Sequence, residues 1–335
     1  MSGMRDVARV AGVALSTVSA VLSDSGKTVS EEIRQRVIAA ADEVHYVPKK
    51  SKMPDTRNIV VMLNANPVAT AATGLDVLKS ALEDKHTMIC CYSLGRSYET
   101  EKRYLRSLVK NQTRALIDFT MCPVNQLEEY CLWLRSEFVD SGIPVLIAGK
   151  KISVPGIISV SIDNEKIGYD ATVHLLDRGH RRIACLLGRN GSSASAKRYQ
   201  GYCRALRERG LPVDPNLIVS GDYTFESGEA CLRSMLQGSL DFTALFSAND
   251  DMAIGAINAI KKAGKRIPED IAVIGVNGSY ASQIVTPTLS TIEIPIDEQW
   301  LAFSACIRDA LVGKSVPSSL DIPYRLIARE STEKR

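Results

Sequence analysis

Apolar residues recur at three- and four-residue spacing near the start of the chain, then give way to short unbroken apolar runs separated by longer amphipathic stretches. Over 4–22, MRDVARVAGVALSTVSAVL, the residues Val7, Ala8 and Ala11 hold one stripe, Gly12 and Val13 interrupt it, and Val18, Val21 and Leu22 restart it. Two short helices sharing one core require that pattern. Gly12 supplies the backbone freedom of a tight turn between them. Ser30 reads as an N-cap, with Glu31 and Glu32 in the first turn, where the helix dipole favours negative charge. Ile33, Val37, Ala40 and Val44 then form the buried stripe of a third helix. Further on, apolar runs at 59–63, 88–92, 115–119, 145–148, 157–161, 183–187, 244–247 and 271–276 read as strands, with helical patterns between them such as 74–82, 101–109 and 167–176. Strand and helix alternating at this rhythm predict parallel, doubly wound sheets. About eight strands exceed one compact six-stranded unit, so two α/β subdomains are expected, with a ligand in the cleft outside the carboxyl ends of their strands.

The second short helix has a polar face, Ser16, Thr17 and Ser19, small enough to approach phosphates and base edges. Many short helical pairs bind no DNA, so the spacing alone leaves both readings open. Charge favours DNA slightly. The chain has 335 residues and a net charge of +3, and residues 1–58 hold nine Lys or Arg against seven Asp or Glu. Much of that excess is Lys49, Lys50, Lys52 and Arg57, in a polar, proline-containing stretch that reads as a linker; these residues suit phosphate contact or simple solvation equally.

The hydrophobic fraction, 45%, is that of an ordinary globular protein of two or three domains. Eight cysteines are scattered without a CxxC pair or a Cys/His cluster, which predicts reduced thiols and no metal or other cofactor. No run approaches the roughly 20 apolar residues of a membrane span. A cytoplasmic location is expected. An enzyme finds little support: GKS at 313–315 has Arg308 where a phosphate loop needs glycine, no GxGxxG opens the first strand–helix unit, and His45, His86, His174 and His180 show no metal or triad spacing. The loop GRNGSSAS at 188–195 suits either an anion nest or a loop at the cleft mouth.

These residues resemble the LacI/GalR family of transcription regulators along nearly the whole chain. The resemblance runs through DVARVAGV, STVSAVL and VSEEIRQRVIAAADEVHYVP, then IDNEKIGYDATVHLLDRGHRRIACLLG, AKRYQGYCRALRERGL, FSANDDMAIGAINAIKKAG, RIPEDIAVIG, TPTLSTI and IARES. It implies a helix-turn-helix headpiece at 1–48, a linker at 49–58 and a body at 59–335 that resembles periplasmic sugar-binding proteins. The body would cross three times between subdomains, the first about 59–153 and 285–313, the second about 154–284 and 314–332. It also implies a homodimer on double-stranded operator DNA, repression modulated by a small effector, and no further helical bundle for tetramers, since apolar heptads are absent at the end.

By the same resemblance, bases are read at Leu15, Ser16 and Ala20, while Thr17, Ser19 and Ser23 position phosphates with Lys49, Lys50 and Lys52. Relatives usually carry Arg where this chain has Ala20, so guanine should be read weakly there and A·T favoured. The usual hinge helix with its minor-groove leucines is replaced by KKSKMPDTRN, which has Pro54 and only Met53 as a wedge, so DNA bending should be reduced. Arg198 corresponds to the arginine that grips the effector, Asn249 and Asp250 to another polar corner, with helix capping the competing role for Asp250. Asn66, Lys150 and Asn277 complete the candidate set, and Asp163, in the crossing segment, reads as more structural than ligand-bound. Sugar-sensing relatives commonly have Asp at Gly149 and Asn277, Gln at Ile294, and aromatic residues at Val68 and Ala69. With those acceptors and rings gone, three effectors remain open: an anionic or unusual sugar, an ordinary sugar, or none.

Overall fold

In the computed structural model, residues 4–22, 29–44, 46, 57–63, 70–82, 87–93, 98–108, 112–120, 122–238 and 240–333 are described. They divide into two compact units, Met1–Thr56 and Arg57–Arg335.

The first unit holds three helices, α1 (Met4–Ala11), α2 (Leu15–Leu22) and α3 (Glu31–Glu43). Their apolar stripes meet in a small core of Val7, Ala11, Val18, Val21, Val37, Ala40 and Ala41, with Ile33 and Val44 packed at its margin. The turn between α1 and α2 places Gly12 at φ +63°, a backbone that disfavours any side chain. Arg36 ties the third helix to that turn, donating to the Ala11 carbonyl at 2.6 Å. The Ser30 carbonyl accepts from the Arg34 N–H at 3.0 Å, which opens α3 where the sequence places its cap.

The second unit is built on two six-stranded sheets. The first contains β1 (Arg57–Leu63), β2 (Thr87–Ser93), β3 (Thr113–Asp118), β4 (Val145–Ala148), β5 (Ile157–Ser161) and, from much later in the chain, β11 (Ser319–Asp321). Their order is β11-β5-β4-β3-β1-β2 and every pairing is parallel. Helices α4 (Thr70–Leu82) and α12 (Ile296–Leu311) cover one face, where Leu78, Trp300, Phe303 and Ile307 are buried. Helices α5 (Tyr98–Ser107) and α6 (Leu127–Glu137) cover the other, burying Leu105, Tyr130, Cys131 and Leu134.

The second sheet contains β6 (Ile183–Leu187), β7 (Ile218–Ser220), β8 (Ala244–Ser247), β9 (Ala272–Asn277), β10 (Ser290–Glu293) and β12 (Arg325–Ile327), in the order β12-β10-β9-β8-β6-β7. Only β12 runs antiparallel to its neighbour. Helices α7 (Asn164–Asp177) and α8 (Ser193–Glu208) lie on one face, α9 (Phe225–Gln237) and α10 (Asp250–Lys262) on the other. A short helix, α11 (Tyr280–Ile284), follows β9. A side chain at Gly168 would overlap the Arg198 carbonyl, and one at Gly201 the Glu165 carbonyl. The two glycines therefore let α7 and α8 pack backbone to backbone, which fixes where Arg198 stands.

The chain crosses between the sheets after β5, after β10 and after β11. The expected subdomain limits move accordingly. β5 pairs with β4, so the first subdomain runs to Ser161 rather than 153; β10 pairs with β9, so the return comes after Glu293 rather than near 285; β11 pairs with β5, so the final crossing follows Asp321 rather than 313. Strand membership is set by hydrogen-bond register with a distant partner, which no local pattern carries. Likewise β1 begins at Arg57, inside the expected linker. The four strands beyond the eight expected, β7, β10, β11 and β12, have three or four residues each. Unlike the four-residue β4 and β8, these mix polar residues into three or four positions and leave no apolar run to read.

Candidate functional site

On α2, Leu15 is 42% exposed and Ser16 is exposed, while Thr17 and Ser19 are half-buried. Ala20 differs from expectation. It is only 8% exposed, so its methyl offers little surface to a base edge, and the apolar reading of that position rests on Leu15. Ser23, Lys49, Lys50, Lys52 and Met53 lie outside the described residues, as does Asn66.

The second sheet gathers the other candidates at the carboxyl ends of its strands, the place where open α/β sheets bind ligands. Arg198 projects from α8 and is buried; its Nε donates to Asn164 Oδ1 at 2.9 Å, and one terminal nitrogen donates to the Ala248 carbonyl after β8. These bonds use two of its five N–H donors; the other three have no partner among the described residues. Burial lowers its pKa, and the nearby Tyr223 and Asp250 counter that.

Asn249 caps α10, accepting from the Met252 N–H at 3.1 Å and donating to the Tyr223 carbonyl at 3.0 Å. Asp250 is buried, and both of its oxygens are engaged: Oδ1 accepts from Thr291 at 2.7 Å and Oδ2 from the Ser279 N–H at 2.6 Å. Burial raises its pKa to about 6 against these stabilising bonds. Asp250 therefore ties the start of α10 to the ends of β9 and β10 rather than standing open as an acceptor. Asp163 is the N-cap of α7, accepting from the Lys166 N–H at 2.9 Å. Asn277 ends β9 at φ +117°, half-buried, and its side chain has no hydrogen bond among the described residues. Ile294 sits in the core of the same subdomain, so that position offers no polar group.

Tyr223, absent from the sequence-based set, belongs to this edge. It lies between β7 and α9 at φ +76°, a backbone costly for a residue with a side chain. Its hydroxyl bonds Ser192 at 2.6 Å, its carbonyl accepts from Asn249, and its ring lies where a side chain at Gly188 would be. The strain is held by three neighbours that line the same corner as Arg198.

Lys150 belongs to the first sheet. Its Nζ donates to the Cys122 carbonyl at 2.6 Å, and burial lowers its pKa. Behind it lies a buried cluster that the sequence-based set also lacks: Glu101 on α5, Asp118 at the end of β3, Thr120 just beyond it and Tyr130 on α6. An acidic residue closing the apolar strand run ALID was the readable signal for it. Gly149, at φ +77° with open space around its α-carbon, follows β4.

Among the described residues no group of three or more His, Cys, Asp or Glu is placed to hold a metal, and no helix is long and apolar enough to cross a membrane.

A helix-turn-helix unit followed by a two-sheet α/β unit with polar groups at its strand ends defines a DNA-binding regulator with a ligand-binding body. Residues 3–49 match the lacI family of bacterial regulatory proteins, and residues 172–332 match the periplasmic binding protein-like domain. The HTH-type transcriptional repressor PurR of Vibrio atlanticus (strain LGP32) is 31% identical over 301 residues, covering 88% of this chain and 87% of the relative. The chain belongs to the lacI family of bacterial regulatory proteins; it is a DNA-binding transcriptional regulator and not an enzyme. Among solved structures, the transcriptional regulator CelR in complex with cellobiose is 28% identical with a TM-score of 0.71, covering 99% of this chain and 100% of that one. The lac repressor dimer bound to operator and the anti-inducer ONPF is 25% identical with a TM-score of 0.72, covering 99% of each.

Proposed function

We propose that this regulator is a cytoplasmic homodimeric repressor that places one headpiece on each half of an operator and responds to an acceptor-rich effector, a sugar acid or sugar phosphate, gripped by Arg198. The observation that carries the effector class is the balance of hydrogen-bonding groups at the second sheet's carboxyl edge. Asp250 has both oxygens committed to the fold, Asp163 spends Oδ1 on the α7 cap at an exposed position, and Asn249 caps a helix with its own oxygen. What remains is Arg198, with three unpaired N–H donors, and the Asn277 amide. A neutral sugar needs acceptors for its hydroxyl hydrogens, whereas a guanidinium fork suits carboxylate or phosphate. Tyr223, whose hydroxyl bonds Ser192 and whose charge acts on Arg198, borders the same corner.

A thermal-shift screen of sugars, sugar acids and sugar phosphates tests this, repeated on Arg198→Ala. A ligand at a hundred times its Kd stabilises the protein by about 2.7 kcal/mol. The expected result is an anionic hit that Arg198→Ala abolishes; a neutral disaccharide giving the larger shift sinks the anionic reading. On the DNA side, Leu15 and Ser16 form the reading face beside the nearly buried Ala20, with Thr17, Ser19, Ser23, Lys49, Lys50 and Lys52 as phosphate contacts. Site selection should return A·T preference opposite Leu15, since an apolar side chain there meets a thymine methyl. A strong guanine preference at that pair contradicts the assignment. DNA bending by the shortened hinge is expected to be small, and a large bend lost in Met53→Ala would overturn that.

A further inference from the structure

The cluster behind Lys150 contains more acceptors than protons. Tyr130 Oη lies 2.6 Å from Glu101 Oε1 and 2.7 Å from Asp118 Oδ2. A phenol has one hydrogen, so it can donate to only one of them, and the other contact at that distance needs a proton on the carboxyl side. Two further observations say which side. Glu101 Oε1 also accepts from the Thr120 hydroxyl, so it is already an acceptor twice over. Asp118 Oδ1, by contrast, is buried and has no hydrogen-bond partner among the described residues. An unpartnered oxygen is tolerable in the core on a neutral acid and far more costly on an anion.

We propose that Asp118 is held as a neutral carboxylic acid that donates its own proton to the Tyr130 phenol oxygen, forming a proton-dependent lock between β3, α5 and α6. The phenol hydrogen then goes to Glu101, and each close contact has one proton. When the Asp118 proton leaves to water, Oδ2 changes from donor to acceptor and a second acceptor faces the single phenol hydrogen. The lock then turns into repulsion. The groups facing it are Tyr98, Glu101 and Lys102 from α5, Tyr130 and Cys131 from α6, Cys122 from the segment after β3, and Lys150 from the segment after β4. Burial, then the Glu101 charge, raise the Asp118 pKa well above the carboxylate range, and Lys150 only partly offsets them. The lock also bears on the first subdomain's ligand edge. Thr120 accepts from the Cys122 N–H at 3.0 Å, and the Cys122 carbonyl is the acceptor that holds Lys150. An ionised Asp118 would compete with that carbonyl for the lysine.

The sign of the linkage follows. The folded state holds a proton that the unfolded chain releases near pH 3.9, so stability is lost as pH rises from there through the folded pKa. Over that window the unfolding constant grows about tenfold per pH unit from this one proton. The test is urea unfolding of the full chain from pH 5 to pH 9 for wild type, Asp118→Asn and Glu101→Gln, with infrared spectra of the carboxyl region at pH 7.5. Asp118→Asn should be the most stable of the three at pH 8, by at least tenfold in the unfolding constant relative to wild type. Its pH slope should be shallower by one proton. Wild type and Glu101→Gln should both show a protonated-carboxyl C=O band that Asp118→Asn lacks. A wild type without that band at pH 7.5 overturns the proposal whether or not the variants fold. A band lost in Glu101→Gln but kept in Asp118→Asn places the proton on the wrong residue and overturns it too.

Discussion

The two sheets share one fold and present their strand ends in the same way, yet they treat charge in opposite ways. At the second sheet's edge, charged and amide groups are bound into the fold one partner at a time. Asn249 and Asp163 cap helices, Asp250 joins α10 to β9 and β10, and Arg198 is held by Asn164 and the Ala248 carbonyl. At the first sheet's edge, two carboxyl groups are buried side by side around one phenol, with an oxygen left over. Ligand binding and proton release therefore act on different edges. An edge whose polar groups are mostly paired, with donors left on Arg198 and the Asn277 amide open among the described residues, is preorganised to bind. An edge that stores a proton is built to respond to its removal.

Dislodging Arg198 without changing it should have the largest effect on the second sheet's edge. Gly168→Ala places a methyl group into the Arg198 carbonyl, and the α7–α8 contact must open; about 3 kcal/mol of stability should be lost, read by urea denaturation, with effector binding lost as well. A variant as stable as wild type would show that the close packing does not position the arginine. Next in size is Asp250→Ala, which strands the Thr291 hydroxyl and the Ser279 N–H in the interior and should cost about 2 kcal/mol. The same residue gives a pH signature distinct from that of Asp118. Its folded pKa of about 6 lies above the unfolded value of about 3.9, so the folded state binds more protons between them and stability falls as pH rises through that window, then levels off. Asp250→Asn should remove that fall, measured as the unfolding midpoint from pH 4 to pH 7. Tyr130→Phe comes third. It deletes the phenol oxygen and hydrogen that link Glu101 to Asp118 and should cost about 1–2 kcal/mol at pH 7 while leaving effector affinity at Arg198 unchanged by calorimetry. Smallest is Ser192→Ala, which removes the hydroxyl paired to Tyr223. A loss of about 1 kcal/mol in effector binding with little change in stability would mark Tyr223 as part of the site; equal loss in both would make it scaffolding.

Much of this was legible beforehand because it is local. The headpiece stripe through Val7, Val18 and Val37 and the runs that became β1 to β6, β8 and β9 are patterns within a few residues of one another. Arg198, Asn249, Asp250 and Asn277 were candidates through resemblance and through their place at strand or helix ends, and the fold brings them to one sheet edge. Their working state was not legible. That Asp250 has no free oxygen depends on Thr291 and Ser279, which lie far along the chain and on different elements. Ala20 shows the limit at the smallest scale, since its burial depends on how the headpiece folds around it and not on its place in α2.

The amino-acid order alone carried three short helices followed by alternating strands and helices, because helix and strand periods and a tight Gly12 turn are properties of short segments; DNA binding came through the motifs shared with the family. Only the tertiary structure decided which sheet β5, β10, β11 and β12 join, since register is settled by a partner a hundred or more residues away in the case of β11. It alone decided that Tyr223 belongs with Arg198. It alone brought Glu101 and Asp118 to either side of the Tyr130 hydroxyl, from a helix, a strand and another helix. Proton sharing is a matter of ångströms in space, and no spacing along the chain encodes it.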